Sequence, residues 1–251
     1  MSAKLIISDI DGCLSPEESV PWDLEYFWAF ARLAREAAAG SGPLPPITLC
    51  TGRPQPYCEV LTKLLDIRLP VICENGAVLY TLHDNYARYA PGVTEDNVEG
   101  LRALVTYLER DVLPHEPAAV LQYGKMAQLS VFSKDPAALP TITPKIEAFI
   151  ERQGGPALVI NVSHYYLNVS LSGVDKGSAL RAVLDELGLS REEVAGIGDT
   201  EGDMPLRDAV GHFACPSNAH GVILDAADYV SPYPTLEGVL DILARPEFQR
   251  A

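Results

Sequence analysis

The first apolar run, Lys4 to Ser8, is short, rich in branched residues and followed at once by Asp-Ile-Asp-Gly. That is the pattern of a strand buried on both faces of a parallel sheet. From Pro21 to Ala38 the apolar positions Leu24, Phe27, Trp28, Ala31 and Ala34 recur at three and four residues. This spacing predicts an amphipathic helix with Pro21 in its first turn, and the Trp22/Trp28 pair fits core packing. A Gly/Pro-rich connector, 40–46, leads to a second run, Ile47 to Cys50, which stops at Thr51-Gly52-Arg53 before a further helical pattern around Val60 to Leu65. Next, Val71-Ile72-Cys73 and Ala77-Val78-Leu79-Tyr80 flank Glu74-Asn75-Gly76, where the Asn-Gly pair predicts a hairpin turn.

Between about His83 and Ser172 the pattern changes. A helical segment (Glu95 to Glu109), a strand-like segment (Met126 to Phe132), a second helix (Pro144 to Gln153) and paired strands (Leu158 to Val162, Tyr166 to Leu171) read as an α+β insert. The alternation then returns, with a helix from Lys176 to Leu187 and a buried strand, Val194 to Ile197, ending in Gly198-Asp199. The expected architecture is α/β: a parallel-sheet core from 1–82 and 173–251, and a second lobe from 83–172 above its carboxyl edge. Ligands of open parallel sheets bind beyond the carboxyl ends of the strands, so Asp9, Asp11, Thr51 and Asp199 are expected to converge.

The composition narrows the partners. With 251 residues, 47% hydrophobic, the chain can bury a sizeable core, and its formal charge of −15 opposes binding to nucleic acid or an anionic membrane. A small anionic substrate then needs a metal ion or a local cationic pocket. Five cysteines, an odd number without a C-x-x-C pair, read as reduced thiols of a cytoplasmic protein. The short run at Leu5-Ile6-Ile7 is broken by Asp9 and Asp11 and does not read as a secretory signal, and no apolar stretch approaches the roughly 18 residues of a membrane span.

Asp9 and Asp11 flank one residue at a strand's end, so in extended geometry both carboxylates face the same side. Their repulsion is relieved if one is protonated or a cation sits between them, and Mg2+, which takes hard oxygen ligands, suits such a pair. Asp199 and Asp203 form a second acidic cluster able to complete a metal shell. Cys13 and Cys50 do not open a phosphate-cradling loop closed by arginine, Gly196-Ile197-Gly198 lacks the third glycine of a dinucleotide fingerprint, and no G-x-x-x-x-G-K-[ST] loop occurs.

Taken in order, these pieces resemble the haloacid dehalogenase superfamily. Asp9-Ile10-Asp11-Gly12-Cys13 is similar to its D-x-D-G-T, Thr51 to its strand-end Ser/Thr, Lys176 to its lysine, and Gly198-Asp199 with Asp203 to its final acidic motif. Thr51-Gly52-Arg53, Glu74-Asn75-Gly76-Ala77, Lys176-Gly177-Ser178-Ala179-Leu180 and Ser217-Asn218-Ala219 resemble the Cof-type branch, in which a large cap is inserted between the second and third motifs. Cys13 departs from the usual Thr and Gly202 from a common Asn.

The resemblance implies a Rossmann-like core with 83–172 as cap, and a magnesium-dependent phosphatase for a small phosphorylated metabolite, a sugar or polyol phosphate. It implies Asp9 as nucleophile and Asp11 as general acid/base. Asp9, the Asp11 backbone carbonyl, Asp199 and Asp203 would hold the metal, and Thr51, Gly52 and Lys176 would bind the phosphoryl oxygens. Arg53, Asn75, Lys125, His164 and Tyr166 are candidates for substrate contacts, although Arg53 equally suits a salt bridge and Asn75 the hairpin turn. A phosphotransferase of phosphomannomutase type and a non-catalytic phosphate-binding module are the competing readings.

Overall fold

The structure is a computed structural model, which describes residues 3–16, 20–153, 157–162 and 165–250. The chain runs through β1 (Leu5–Ser8), α1 (Leu24–Ala38), β2 (Ile47–Leu49), α2 (Gln55–Leu65), β3 (Val71–Cys73), β4 (Val78–Thr81) and β5 (Tyr86–Tyr89). It continues through α3 (Glu95–Tyr107), β6 (Ala119–Leu121), β7 (Leu129–Ser133), α4 (Leu139–Gln153), β8 (Leu158–Val162) and β9 (Tyr166–Leu171). It ends with α5 (Lys176–Leu187), β10 (Val194–Ile197), α6 (Met204–Asp208), β11 (His212–Cys215), α7 (Gly221–Ala226), β12 (Tyr229–Val230) and α8 (Thr235–Leu243). Two compact units result, Met1–Arg88 with Asp175–Ala251, and Tyr89–Val174.

The first unit is built on a five-stranded sheet of order β12-β11-β10-β1-β2, with every adjoining pair parallel. All four residues of β1 are buried, as its central place requires of an apolar run. Ser8 is in register with Ile197 on one side and Leu49 on the other. The segments that begin at Asp9, Cys50 and Gly198 therefore leave the sheet along one edge. Beside it, β3 and β4 pair antiparallel through Glu74–Gly76, where Glu74, Asn75 and Gly76 all take positive φ. The expected Asn-Gly turn is thus a short 3-10 turn.

The first helix corrects its sequence reading in two respects. It begins at Leu24, because the Asp23 side chain caps the Glu25 and Tyr26 amides, and Pro21 lies outside it. Its buried stripe is Phe27, Phe30, Ala31, Ala34 and Ala37, whereas Leu24 and Trp28 are 61% and 55% exposed. Trp28 follows Phe27 and so points about 100° around the helix from the stripe that Phe30 and Ala37 complete.

In the second unit, β6-β7-β9-β8 form a four-stranded antiparallel sheet accompanied by α3 and α4. Period-two alternation is clean in β9: Leu167, Val169 and Leu171 are buried, and Tyr166, Asn168 and Ser170 take the other face. Strand β7 begins only at Leu129, so Met126, read from sequence as the start of a strand, lies with Lys125 in the preceding loop, and Met126 is exposed. Helix α4 starts at Leu139 and contains Pro144, which the sequence reading had placed in the first turn. No helix among the described residues is long and apolar enough to cross a membrane.

Candidate functional site

Asp9 follows β1 directly and is 5% exposed. Its Oδ1 accepts a hydrogen bond from the Ile10 amide at 2.7 Å, and its Oδ2 accepts one from Lys176 Nζ at 2.7 Å. Lys176 opens α5, whose start is set by a reciprocal capping box between Asp175 and Ser178. Its neighbour Gly177 permits a close approach, since a Cβ there would sit 2.2 Å from the Pro205 carbonyl oxygen. The lysine thus has its place dictated by backbone packing, and it is buried rather than solvated.

Lys176 also donates to Asp203 Oδ1 at 2.6 Å, while Asp203 Oδ2 accepts from the Asp199 and Thr200 amides at 3.0 and 3.1 Å. One oxygen of Asp203 therefore faces the lysine and the other fastens the loop that carries Asp199. Asp199 is backed by Gly12, which has φ +75°, and a Cβ at Gly12 would fall 1.8 Å from Asp199 Oδ2. Asn218 holds that turn from behind, its Nδ2 donating to the Gly12 carbonyl at 2.9 Å and its Oδ1 accepting from the Thr235 amide at 2.7 Å. The Ser217-Asn218-Ala219 motif was visible in the sequence, but this bracing role was not.

Asp9, Asp199 and Asp203 each offer a carboxylate oxygen within 4.8 Å of the others, and all three are buried. Three hard oxygen donors so close, with a glycine cradle that leaves Asp199 its space, fit a small divalent cation such as Mg2+. Burial pushes the Asp9 carboxyl up to about 7; Lys176 opposes this, and Asp203 and Asp11 add to it. Burial would pull Lys176 down, but Asp203 and Asp9 outweigh it and hold the ammonium well above its ordinary value. The site thus keeps one charged lysine among carboxylates that crowd one another.

Asp11 has a separate partner. Strand geometry ends at Ser8, so the alternation expected to turn both carboxylates the same way does not extend through Asp11. Its two oxygens accept from Arg53, at 2.7 Å from Nε and 2.5 Å from Nη2, and the guanidinium lies 5.1 Å from the Tyr57 ring centroid. Thr51 is fully buried at the end of β2, and its hydroxyl accepts from the Arg53 amide at 3.1 Å. The Asn75 side chain lies against Gly52, where a Cβ would meet it at 3.1 Å, and the Asn75 amide donates to the Thr51 carbonyl at 3.0 Å. Asn75 therefore braces the loop that presents Thr51.

Cys13 Sγ lies 4.0 Å from Asp199 Oδ1, and burial pushes both the Cys13 and Cys50 thiols well up, away from the reactive thiolate. Gly202 has Thr200 Oγ1 3.4 Å from where a Cβ would stand. In the second unit, Lys125 donates to Gln128 Oε1 at 3.0 Å and Ser130 Oγ at 2.6 Å. Tyr166, the first residue of β9, packs its ring 5.3 Å from that of Phe132. His164 lies outside the described residues.

An acidic triad with a buried lysine at the carboxyl edge of a parallel sheet is also what the family match covers: haloacid dehalogenase-like hydrolases match residues 6–125 and 116–243. The chain belongs to this family. As a haloacid dehalogenase-like hydrolase it is an enzyme, and it is similar to several proteins named as phosphatases. It is 29% identical over 198 residues to a phosphoglycolate phosphatase of Archaeoglobus fulgidus, covering 79% of this chain and 81% of that one. It is 24% identical to one of Methanosarcina acetivorans, covering 97% and 96%. Its fold matches a Thermoplasma acidophilum protein with a TM-score of 0.74 at 21% identity, over 99% of this chain and 100% of the other. A haloacid dehalogenase-like hydrolase from Bacteroides thetaiotaomicron gives 0.73 at 20% identity, over 96% and 98%. The chain is a phosphatase of this hydrolase family.

Proposed function

We propose that the protein hydrolyses a small phosphomonoester through a phosphoryl group carried on Asp9, with Mg2+ held by Asp9, Asp199 and Asp203 and by the Asp11 carbonyl. The observation that supports this most is the meeting of Asp9, Asp199 and Asp203 within 4.8 Å, from strand ends far apart in sequence. Bound there, the cation would supply positive charge between an anionic nucleophile and a phosphate dianion. The Asp9 carboxylate attacks phosphorus, which divides one difficult displacement into two easier ones. Lys176, held charged by its acidic neighbours, offsets the charge that grows on the equatorial phosphoryl oxygens, and Thr51 with the Gly52 amide binds them from β2. Asp11 protonates the departing oxygen and then takes a proton from the attacking water.

The relatives named phosphoglycolate phosphatase support 2-phosphoglycolate as the first substrate to try, ahead of the sugar and polyol phosphates expected from the sequence. The unit Tyr89–Val174 is read as the family's cap. A phosphate-release screen over phosphorylated metabolites, with and without magnesium and beside Asp9→Asn, tests this reading. Magnesium-dependent release that Asp9→Asn abolishes is expected. Equal release by the variant would refute the role of Asp9.

A further inference from the structure

We infer that Arg53 is the specificity-determining residue of this site. It selects phosphomonoesters whose leaving group carries a carboxylate next to the ester-bearing carbon, and its guanidinium passes from Asp11 to that carboxylate when such a substrate binds. The inference rests on the reading of Asp9 as nucleophile and Asp11 as acid.

Three features of the structure carry it. The first is the form of the contact: Arg53 grips Asp11 with two nearly parallel bonds, Nε to Oδ2 at 2.7 Å and Nη2 to Oδ1 at 2.5 Å. A planar fork engaged in this way is a fitted receptor for any carboxylate, and Asp11 occupies it here. The Tyr57 ring, 5.1 Å from the guanidinium carbon, limits the plane in which the fork can lie.

The second is access. The Arg53 and Asp11 side chains are 33% and 30% exposed, whereas Lys176 and Asp9 are 4% and 8%. An incoming ligand can therefore reach the fork without unpacking the sheet edge.

The third is distance. To protonate the leaving oxygen, Asp11 must come within about 2.6–3.2 Å of it. In a phosphorylated α-hydroxy acid the carboxylate carbon is bonded to the carbon that bears this oxygen. Its carboxylate therefore arrives within the few ångströms that separate Asp11 from Arg53, and esters of polyols bring no anion there. Both Asp11 oxygens accept from guanidinium N–H groups, so the fork and the leaving oxygen compete for the same carboxyl. A second carboxylate beside Asp11 offers the fork an alternative partner of the same shape and charge.

The test compares 2-phosphoglycolate with 2-hydroxyethyl phosphate, which has the same two-carbon frame without the carboxylate, in wild type, Arg53→Gln and Arg53→Lys. p-Nitrophenyl phosphate serves as the reference, run also with Asp9→Asn. The wild type is expected to favour 2-phosphoglycolate in kcat/KM, and Arg53→Gln to lower that preference by about 10- to 100-fold, mainly through KM for 2-phosphoglycolate. Arg53→Lys, which keeps the charge without the fork, recovers only part of it, and added guanidinium chloride partly rescues Arg53→Gln. An equal fall for both substrates in Arg53→Gln would overturn the inference, leaving Arg53 as a positioning residue for Asp11. A wild type that cleaves p-nitrophenyl phosphate with no preference for 2-phosphoglycolate would also overturn it, with the phosphatase mechanism intact. If no phosphomonoester is cleaved, the underlying mechanism falls as well.

Discussion

Replacing Lys176 by methionine is expected to destabilise the metal-free protein by about 3–5 kcal/mol, the usual cost of breaking a buried ion pair by removing one partner. The substitution keeps the side chain's length and apolar stem, and takes away an ammonium that sits 2.7 Å from Asp9 and 2.6 Å from Asp203. Both carboxylates are nearly sealed from water, so solvent cannot substitute for the lost cation. For a chain of this length each kcal/mol moves Tm by about 2–4 °C, which puts the expected fall near 10 °C.

The pH dependence adds a sharper test. The Asp9 carboxyl is raised in the folded protein from 3.8 to about 7, so its contribution to stability is full below 4 and is lost as pH rises through 7. Without the lysine that opposes this shift, the folded value climbs further. The penalty of Lys176→Met is then larger at pH 8 than at pH 5, where Asp9 is protonated in both proteins. Thermal unfolding in EDTA, followed by circular dichroism at both pH values, measures this. A Tm within 2 °C of wild type, or an equal penalty at the two pH values, would refute the reasoning.

Gly12→Ala places a methyl group 1.8 Å from Asp199 Oδ2 on a backbone with φ +75°, so it is expected to cost about 1–3 kcal/mol in strain and to weaken Mg2+ binding at least tenfold. Titration of the Mg2+-induced rise in Tm reads both, and an unchanged midpoint would count against Gly12 as the space-maker for Asp199. In the wild type, magnesium must displace the Asp9 proton below about pH 7, so the Tm gain at fixed Mg2+ is expected to be larger at pH 8 than at pH 6. Equal gains would show that Asp9 is not among the ligands.

The buried run Leu5–Ser8 made the first strand legible and placed Asp9 at its end, but a short apolar strand that stops at an acid is also met in solvated loops, and only the ordered set of motifs singled Asp9 out. Thr51 and Asp199 could be placed at the sheet's carboxyl edge from the strands they follow, and Lys176 was singled out only by the family resemblance. What could not be read was set by contacts between distant segments. The fork from Arg53 to Asp11 and the bond from Asn218 to Gly12 join loops that meet only after the sheet has formed. Periodicity also leaves a choice of helix face: Leu24 and Trp28 matched a three-four spacing as well as Phe30 and Ala37 did, and packing against the sheet decided between them. The strand expected from Met126 was started too early for a related reason, since that run begins to pair with β9 only at Leu129.

Whether Asp9 itself carries the phosphoryl group can be seen by acid-quenching the enzyme during turnover of p-nitrophenyl phosphate with magnesium and mapping its peptides by mass spectrometry. The peptide that contains Asp9 is expected to gain the mass of one phosphoryl group, lose it on treatment with hydroxylamine, and show no gain in Asp9→Asn. Active turnover with an unmodified Asp9 peptide, or with the group on another residue, would contradict the mechanism.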